Sequence, residues 1–160
     1  MRRILLLTVL ASSHLFFNCA STNNAARHRL IISLIKSWQF EYSSRVDQNA
    51  EPGYQSQRGR TAAQLKGELQ FPDLLFTHLK NRYNVPVTKD DPQAQGQIRL
   101  EAITFANGGF KFVDVMLIDN KGLLLARTRV WNVDERNVVI HGDDFPEFAA
   151  ETIADLFGSK

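Results

Sequence analysis

The sequence predicts an α+β domain, a two-layer sandwich in which both helices cover one face of a mostly antiparallel sheet, with element order β-α-β-β-β-(β)-α. Three observations predict it. Residues 29–42 alternate with period two, residues 61–83 repeat apolar side chains at three- and four-residue steps, and from residue 97 onward short alternating runs are separated by turn formers.

In the first run, RLIISLIKSWQFEY, the residues Leu30, Ile32, Leu34, Trp38, Phe40 and Tyr42 fall on one face and Arg29, Ser33, Ser37, Gln39 and Glu41 on the other, which predicts one long half-buried strand. Residues 43–60 are polar and rich in turn formers, and predict a long exposed loop. Thr61 then opens a helical stripe of Ala62, Leu65, Leu69, Pro72, Phe76, Leu79 and Tyr83. Pro72 has no N–H to give the carbonyl four residues back, so a kink or restart is expected there, with Asp73 in the new first turn. Strands are expected at Gln97–Thr104, Phe110–Asp119 and Leu123–Trp131, the last two joined by a hairpin through Asn120-Lys121-Gly122, with a shorter strand at Val138–His141. The final helix has Asp143 or Asp144 as cap, Pro146 in its first turn, an Ala149, Ile153 and Leu156 or Phe157 stripe, and Gly158 as its stop. A helical crossover lets the first two strands lie parallel and adjacent.

The chain's 160 residues suffice for one domain with a sizeable core, and its 44% hydrophobic and 22% charged composition excludes a disordered or collagen-like chain. Formal net charge is +2, from 19 Lys+Arg against 17 Asp+Glu, and setting aside Arg2 and Arg3 of the leading segment leaves 17 of each sign. Without a basic excess to neutralise phosphates, no nucleic-acid partner is expected. The single cysteine excludes an intrachain disulfide and any site built on several thiolates.

That cysteine, Cys19, closes the leading segment MRRILLLTVLASSHLFFNC, in which two arginines precede a short apolar run. The run is too short and too interrupted by Ser12, Ser13 and His14 for a membrane span. The arrangement resembles the bacterial lipoprotein signal, in which a peptidase cuts before a cysteine already carrying diacylglycerol; Phe17 and Asn18 depart from the small residues usual there. The alternatives are a plain signal peptide cleaved after Ser13 and an uncleaved N-terminal anchor. The expected division is 1–18 signal peptide, 19–28 lipidated tether and 29–158 single domain. The resemblance implies fatty acyl chains such as palmitate on Cys19 and, since Ala20 is not the aspartate that retains lipoproteins at the inner membrane, a place on the periplasmic face of the outer membrane.

The mature chain resembles a group of small periplasmic lipoproteins, including DUF4136-type proteins, transport-auxiliary lipoproteins and the N-terminal domain of TolB. The likeness is carried by an early strand with Trp38, a helix ending Leu79-Lys80-Asn81-Arg82-Tyr83, and the strand–turn–strand Val113–Arg127 with Asp119-Asn120-Lys121-Gly122. It implies an assembly or adaptor part of the envelope and transfers no catalytic residue.

Among residues able to carry chemistry, His141-Gly142-Asp143-Asp144 matches no metal-ligand spacing, and no GxSxG, Walker A, GxGxxG or HExxH pattern occurs. Neither catalytic residues nor a cofactor is expected. Asp114 interrupts an apolar strand, and in the simplest hairpin register it faces Arg127 with Arg129 diagonal, as a cross-strand ion pair. If Val113, Val115 and Leu117 face the helices, then Phe112, Met116, Ile118, Leu125 and Trp131 point away, and Phe112, Met116, Leu125 and Trp131 form a candidate protein interface. The leading expectation is a non-enzymatic, lipid-anchored component that binds another envelope protein. The alternatives are a carrier or sensor of a small apolar ligand and, third, a hydrolase with an unrecognised site.

Overall fold

The computed structural model describes residues 24–47, 62–105, 109–133, 140 and 144–158. The chain runs through α1 (24–34), β1 (Trp38–Val46), α2 (Ala62–Asn81), β2 (Val87–Thr88), β3 (Gly96–Thr104), β4 (Phe110–Asp119), β5 (Leu124–Trp131) and α3 (Phe145–Asp155). It is the expected α+β sandwich with one helix more at its front and with a short edge strand, β2, that the sequence reading did not place. The sheet order is β2-β1-β3-β4-β5: parallel where β1 meets β2 and β3, antiparallel from β3 to β5. The crossover through α2 makes β1 and β3 parallel neighbours, as the element order predicted.

The first correction falls on the long strand expected at 29–42. Residues 24–34 are helical, and the strand begins only at Trp38. Five apolar residues crowded between 30 and 35 satisfy both periods, and packing decides between them. Ile32 is buried, and Ile31 and Ile35 pack beside it on the core, which is helical spacing; Leu30 and Leu34, placed inside by the period-two reading, are 61% and 62% exposed. Residues 24–28, read as tether, form the first turns of this helix. The strand expected at Val138–His141 lies outside the described residues, apart from Ile140.

The second correction falls on α2. It runs through Pro72 as one helix rather than restarting, and Asp73, instead of opening a new first turn, pairs with Lys89. The buried residues are Phe71, Leu75 and Leu79, with Phe76 half-buried, whereas Leu69 is 82% exposed. The i, i+4, i+8 row wins because Phe71 fills the space between sheet and α3. Its ring lies 4.6 Å from Phe110, 5.4 Å from Phe145 and 5.9 Å from Tyr42, centroid to centroid. Burial pushes the Tyr42 hydroxyl pKa up to about 12.

In α3, Phe145, Ala149, Ala150 and Ile153 are fully buried against α2 and the sheet. Asp144 occupies the N-cap position without a side-chain capping bond, and Gly158, at φ +71°, follows the last turn. The β4–β5 hairpin closes as expected: the Asp119 carboxylate accepts from Lys121 N at 2.9 Å and Leu123 N at 2.8 Å, and Gly122 takes φ +83°.

Trp38 is fully buried, edge-on to Phe157 at 5.2 Å, and its indole N–H has no hydrogen-bond partner among the described residues. It sits beside Gly96, its register partner in β3, where a Cβ would stand 2.7 Å from two indole carbons. Gly96→Ala should therefore cost about 1–3 kcal/mol by overpacking, read as a lowered denaturant midpoint. Leu79→Ala and Ile153→Ala should each cost about 2–5 kcal/mol as core truncations, while Leu69→Ala should leave the midpoint within about 0.5 kcal/mol of wild type. Equal losses at positions 69 and 79 would mean that α2 presents a different face to the core.

Candidate functional site: the open face of the sheet

Side chains alternate across the strands, so the face turned from the helices carries, beyond a row of Gln39, Gln97, Ile118 and Leu124 at the hairpin end, three further cross-strand rows. The registers place Glu41, Arg99, Met116 and Arg127 in one, Ser43, Glu101, Asp114 and Arg129 in the next, and Arg45, Ile103, Phe112 and Trp131 in the third. Among the described residues no helix packs on this face: α2 and α3 bury their apolar sides in the core on the other layer, and α1 reaches the same core through Ile32.

The second row sets Glu101 directly opposite Asp114, a like-charge pairing that is unfavourable by itself. Each carboxylate has its own arginine. Glu101 accepts from Arg45 at 2.6 Å, and Asp114 accepts from Arg129 Nε at 2.7 Å and Nη2 at 2.9 Å, with Arg127 at 3.4 Å. The expected ion pair therefore exists, but Arg129 is the directly opposed, two-pronged partner and Arg127 the diagonal one. The strand β5 is displaced by two residues against the simplest hairpin alignment: the turn holds three residues, 120–122, which contributes one, and a register shift between Leu117 and Ile118 contributes the other. Hydrogen bonds from Arg129 hold the nearly buried Asp114 carboxyl below its ordinary pKa, against the upward push of burial.

The same shift corrects one candidate interface residue. Leu125 has no register partner and turns into the core, 5% exposed, beside Ile32 and Leu156. The other three lie on the open face as expected. Trp131 is 46% exposed, Met116 is half-buried between Arg99 and Arg127, and Phe112 is covered. Its cover is built from neighbours: Arg129 sits 3.8 Å from the Phe112 ring centre, and Trp131 meets that ring edge-on at 5.0 Å. The face is therefore an arginine–carboxylate lattice with an aromatic corner at Ile103, Phe112 and Trp131, rather than a continuous apolar sheet. Sequence reasoning found the aromatics and placed Arg129 diagonal to Asp114, but missed that Arg129 lies directly opposite it and covers Phe112, which depends on the β5 register.

Elsewhere, a half-open groove of about 340 Å³ lies between α1, β5 and α3, lined by Ala25, His28, Arg29, Ile32, Leu125, Ala126, Asp155 and Leu156. Cys19 and His141–Asp143 lie outside the described residues. Among the described residues no three His, Cys, Asp or Glu side chains gather as a metal site, and no helix is long and apolar enough to cross a membrane. No family model matches the chain, and neither a curated protein nor a solved structure is similar to it, so its role must be read from its own residues.

The Asp114 pairing has a pH signature. Because the folded-state pKa is lowered, its stabilisation is fully present above the unfolded value of about 3.9 and is lost as pH falls through the folded value. Asp114→Asn should cost about 1 kcal/mol at pH 7, and the gap to wild type should close as pH falls below about 4. A gap independent of pH would assign Asp114 a packing role only.

Proposed function

We propose that the chain is a non-enzymatic envelope lipoprotein, anchored through acyl chains on Cys19, that binds another envelope protein through the open face of its sheet. The observation that carries the partner half is the aromatic corner. Trp131 stands about half exposed on a rigid strand, backed by Phe112 and Arg129. Tryptophan and arginine are the residue types that concentrate binding energy at interfaces, and here both are held in place before any partner arrives. The anchoring half is supported by the sequence, where the lone cysteine ends a charged-then-apolar leader and is followed by Ala20-Ser21-Thr22. Acyl chains contribute about 0.8 kcal/mol per buried methylene, so two or three of them hold the chain at the membrane without help from the domain. Ala20 favours the outer membrane, periplasmic face.

A second reading, a carrier or sensor of a small apolar ligand, is favoured by the groove between α1, β5 and α3, whose walls include Ile32, Leu125 and Leu156. Its half-open form and the His28, Arg29 and Asp155 side chains in its lining fit a closed apolar carrier site less well than the open face fits a protein.

Both halves are testable. The intact mass of the mature protein should exceed that of its polypeptide by a diacylglycerol and should start at Cys19; an unmodified Cys19 would remove the anchor. A photocrosslinking residue at position 131 should capture a defined envelope protein in cells, and the same residue at position 69 should not. Trp131→Ala should weaken that capture by about tenfold or more while leaving the melting temperature nearly unchanged. Capture of one protein equally from positions 131 and 69 would move the interface off the open face.

A further inference from the structure

Charge is unevenly placed along this chain. All 17 acidic residues lie from Glu41 onward, while the first forty residues carry Arg2, Arg3, Arg27, Arg29 and Lys36 with no Asp or Glu. The helix α1 stands in that acid-free stretch. Ile31, Ile32 and Ile35 fix its inner side on the core, so its outer side has a defined direction. That outer side presents Leu30 and Leu34, one turn apart and 61% and 62% exposed. A single exposed leucine needs no explanation. Two on the outward stripe of an acid-free helix, flanked by Arg27 and followed by Lys36, make a short amphipathic surface with cations at its border.

We propose that this outer face of α1 lies on the anionic phospholipid surface to which the chain is attached, with Leu30 and Leu34 entering the boundary between headgroups and acyl chains. Amphipathic helices lie in that plane by burying an apolar face while Lys and Arg remain among anionic headgroups. The proposal rests on membrane attachment at the chain's front. Cys19 stands five residues before Asn24, where the described helix begins. Five residues span at most about 18 Å, so a lipid on Cys19 brings the start of α1 to the headgroup layer. Because α1 is fixed to the helix side of the sandwich, this contact leaves the opposite, open sheet face directed to other partners. A soluble protein is the other occupant such a face could take, and the absence of acidic residues from the stretch favours phospholipid over it.

The test is depth measured on the full, membrane-attached chain in vesicles of phosphatidylethanolamine with about a quarter phosphatidylglycerol. A nitroxide is placed at Leu30→Cys, at Leu34→Cys or, as aqueous control, at Leu69→Cys. Positions 30 and 34 should collide with a water-soluble nickel complex roughly fivefold less often than position 69, and with dissolved oxygen more often. Immersion should lessen in vesicles of phosphatidylcholine alone. Nickel collision at 30 and 34 equal to that at 69 would overturn the proposal, and so would immersion indifferent to the anionic lipid. Intact mass of the same samples reads Cys19 separately, so failure of the lipid anchor and failure of the helix contact are told apart. Leu30→Ser with Leu34→Ser should keep the wild-type melting temperature; an unfolded double variant would place these leucines in the core and equally overturn the proposal.

Discussion

Trp38 meets Gly96 at the centre of the sheet, and much of the remaining architecture follows from that contact. The indole occupies the space that any side chain at position 96 would need. This fixes the parallel register of β1 on β3, and β2 joins β1 at the same residue from the other side. The approach to Trp38 is clamped as well: Trp38 N donates to Pro86 O at 2.8 Å, Ser37 O accepts from Gln95 N and Gly96 N, and Lys36 N donates to the Gln95 side chain. The helix α1 must therefore end before the strand begins, and Phe157, just past α3, closes over the indole from the C-terminal end. One bulky residue opposite one glycine thus ties the front, middle and end of the chain together.

The two faces of the sheet are held by different physics. On the helix side, aromatic and aliphatic groups exclude water, with Phe71, Phe110 and Phe145 in mutual contact. On the open side, the strands carry carboxylates and guanidiniums whose pairing order is set by register, and exposed pairs of this kind contribute little stability each. The nearly buried Asp114 differs. Its bond with Arg129 orders a guanidinium that also covers Phe112, so electrostatics on this face support an aromatic surface. The result is a partly exposed tryptophan packed edge-on against Phe112 with Arg129 beside it.

The proposed attachment and the proposed recognition fall on separate parts of the molecule. The cationic, acid-free front of the chain precedes a domain that carries all the acidic residues. The open sheet face lies on the layer opposite the one where α1 packs. A contact at the front and a contact on the sheet need not compete for the same surface.

What the sequence by itself determined is the part whose backbone and charge are satisfied locally. The hairpin at Asp119–Leu123 was legible because the Asp119 carboxylate and Gly122 supply the turn within five residues, and the stop at Gly158 because glycine takes positive φ readily. The crossover that makes β1 and β3 parallel was legible from element order. The lone cysteine after an apolar run and the absence of acidic residues before Glu41 are properties of the string alone. Tertiary structure decided everything that depends on which neighbour covers which face. The residues between Leu30 and Ile35 fit helix and strand equally, and only docking of Ile31, Ile32 and Ile35 on the core chose the helix. The stripe on α2 shifted to Phe71, Leu75 and Leu79 because the aromatic cluster needed Phe71. Leu125 turned inward because of one register shift near Leu117, and Arg129 rather than Arg127 came opposite Asp114 because that shift adds to a turn of three residues. Such a shift leaves no local mark, since its energy comes from burying one more leucine against elements distant in sequence.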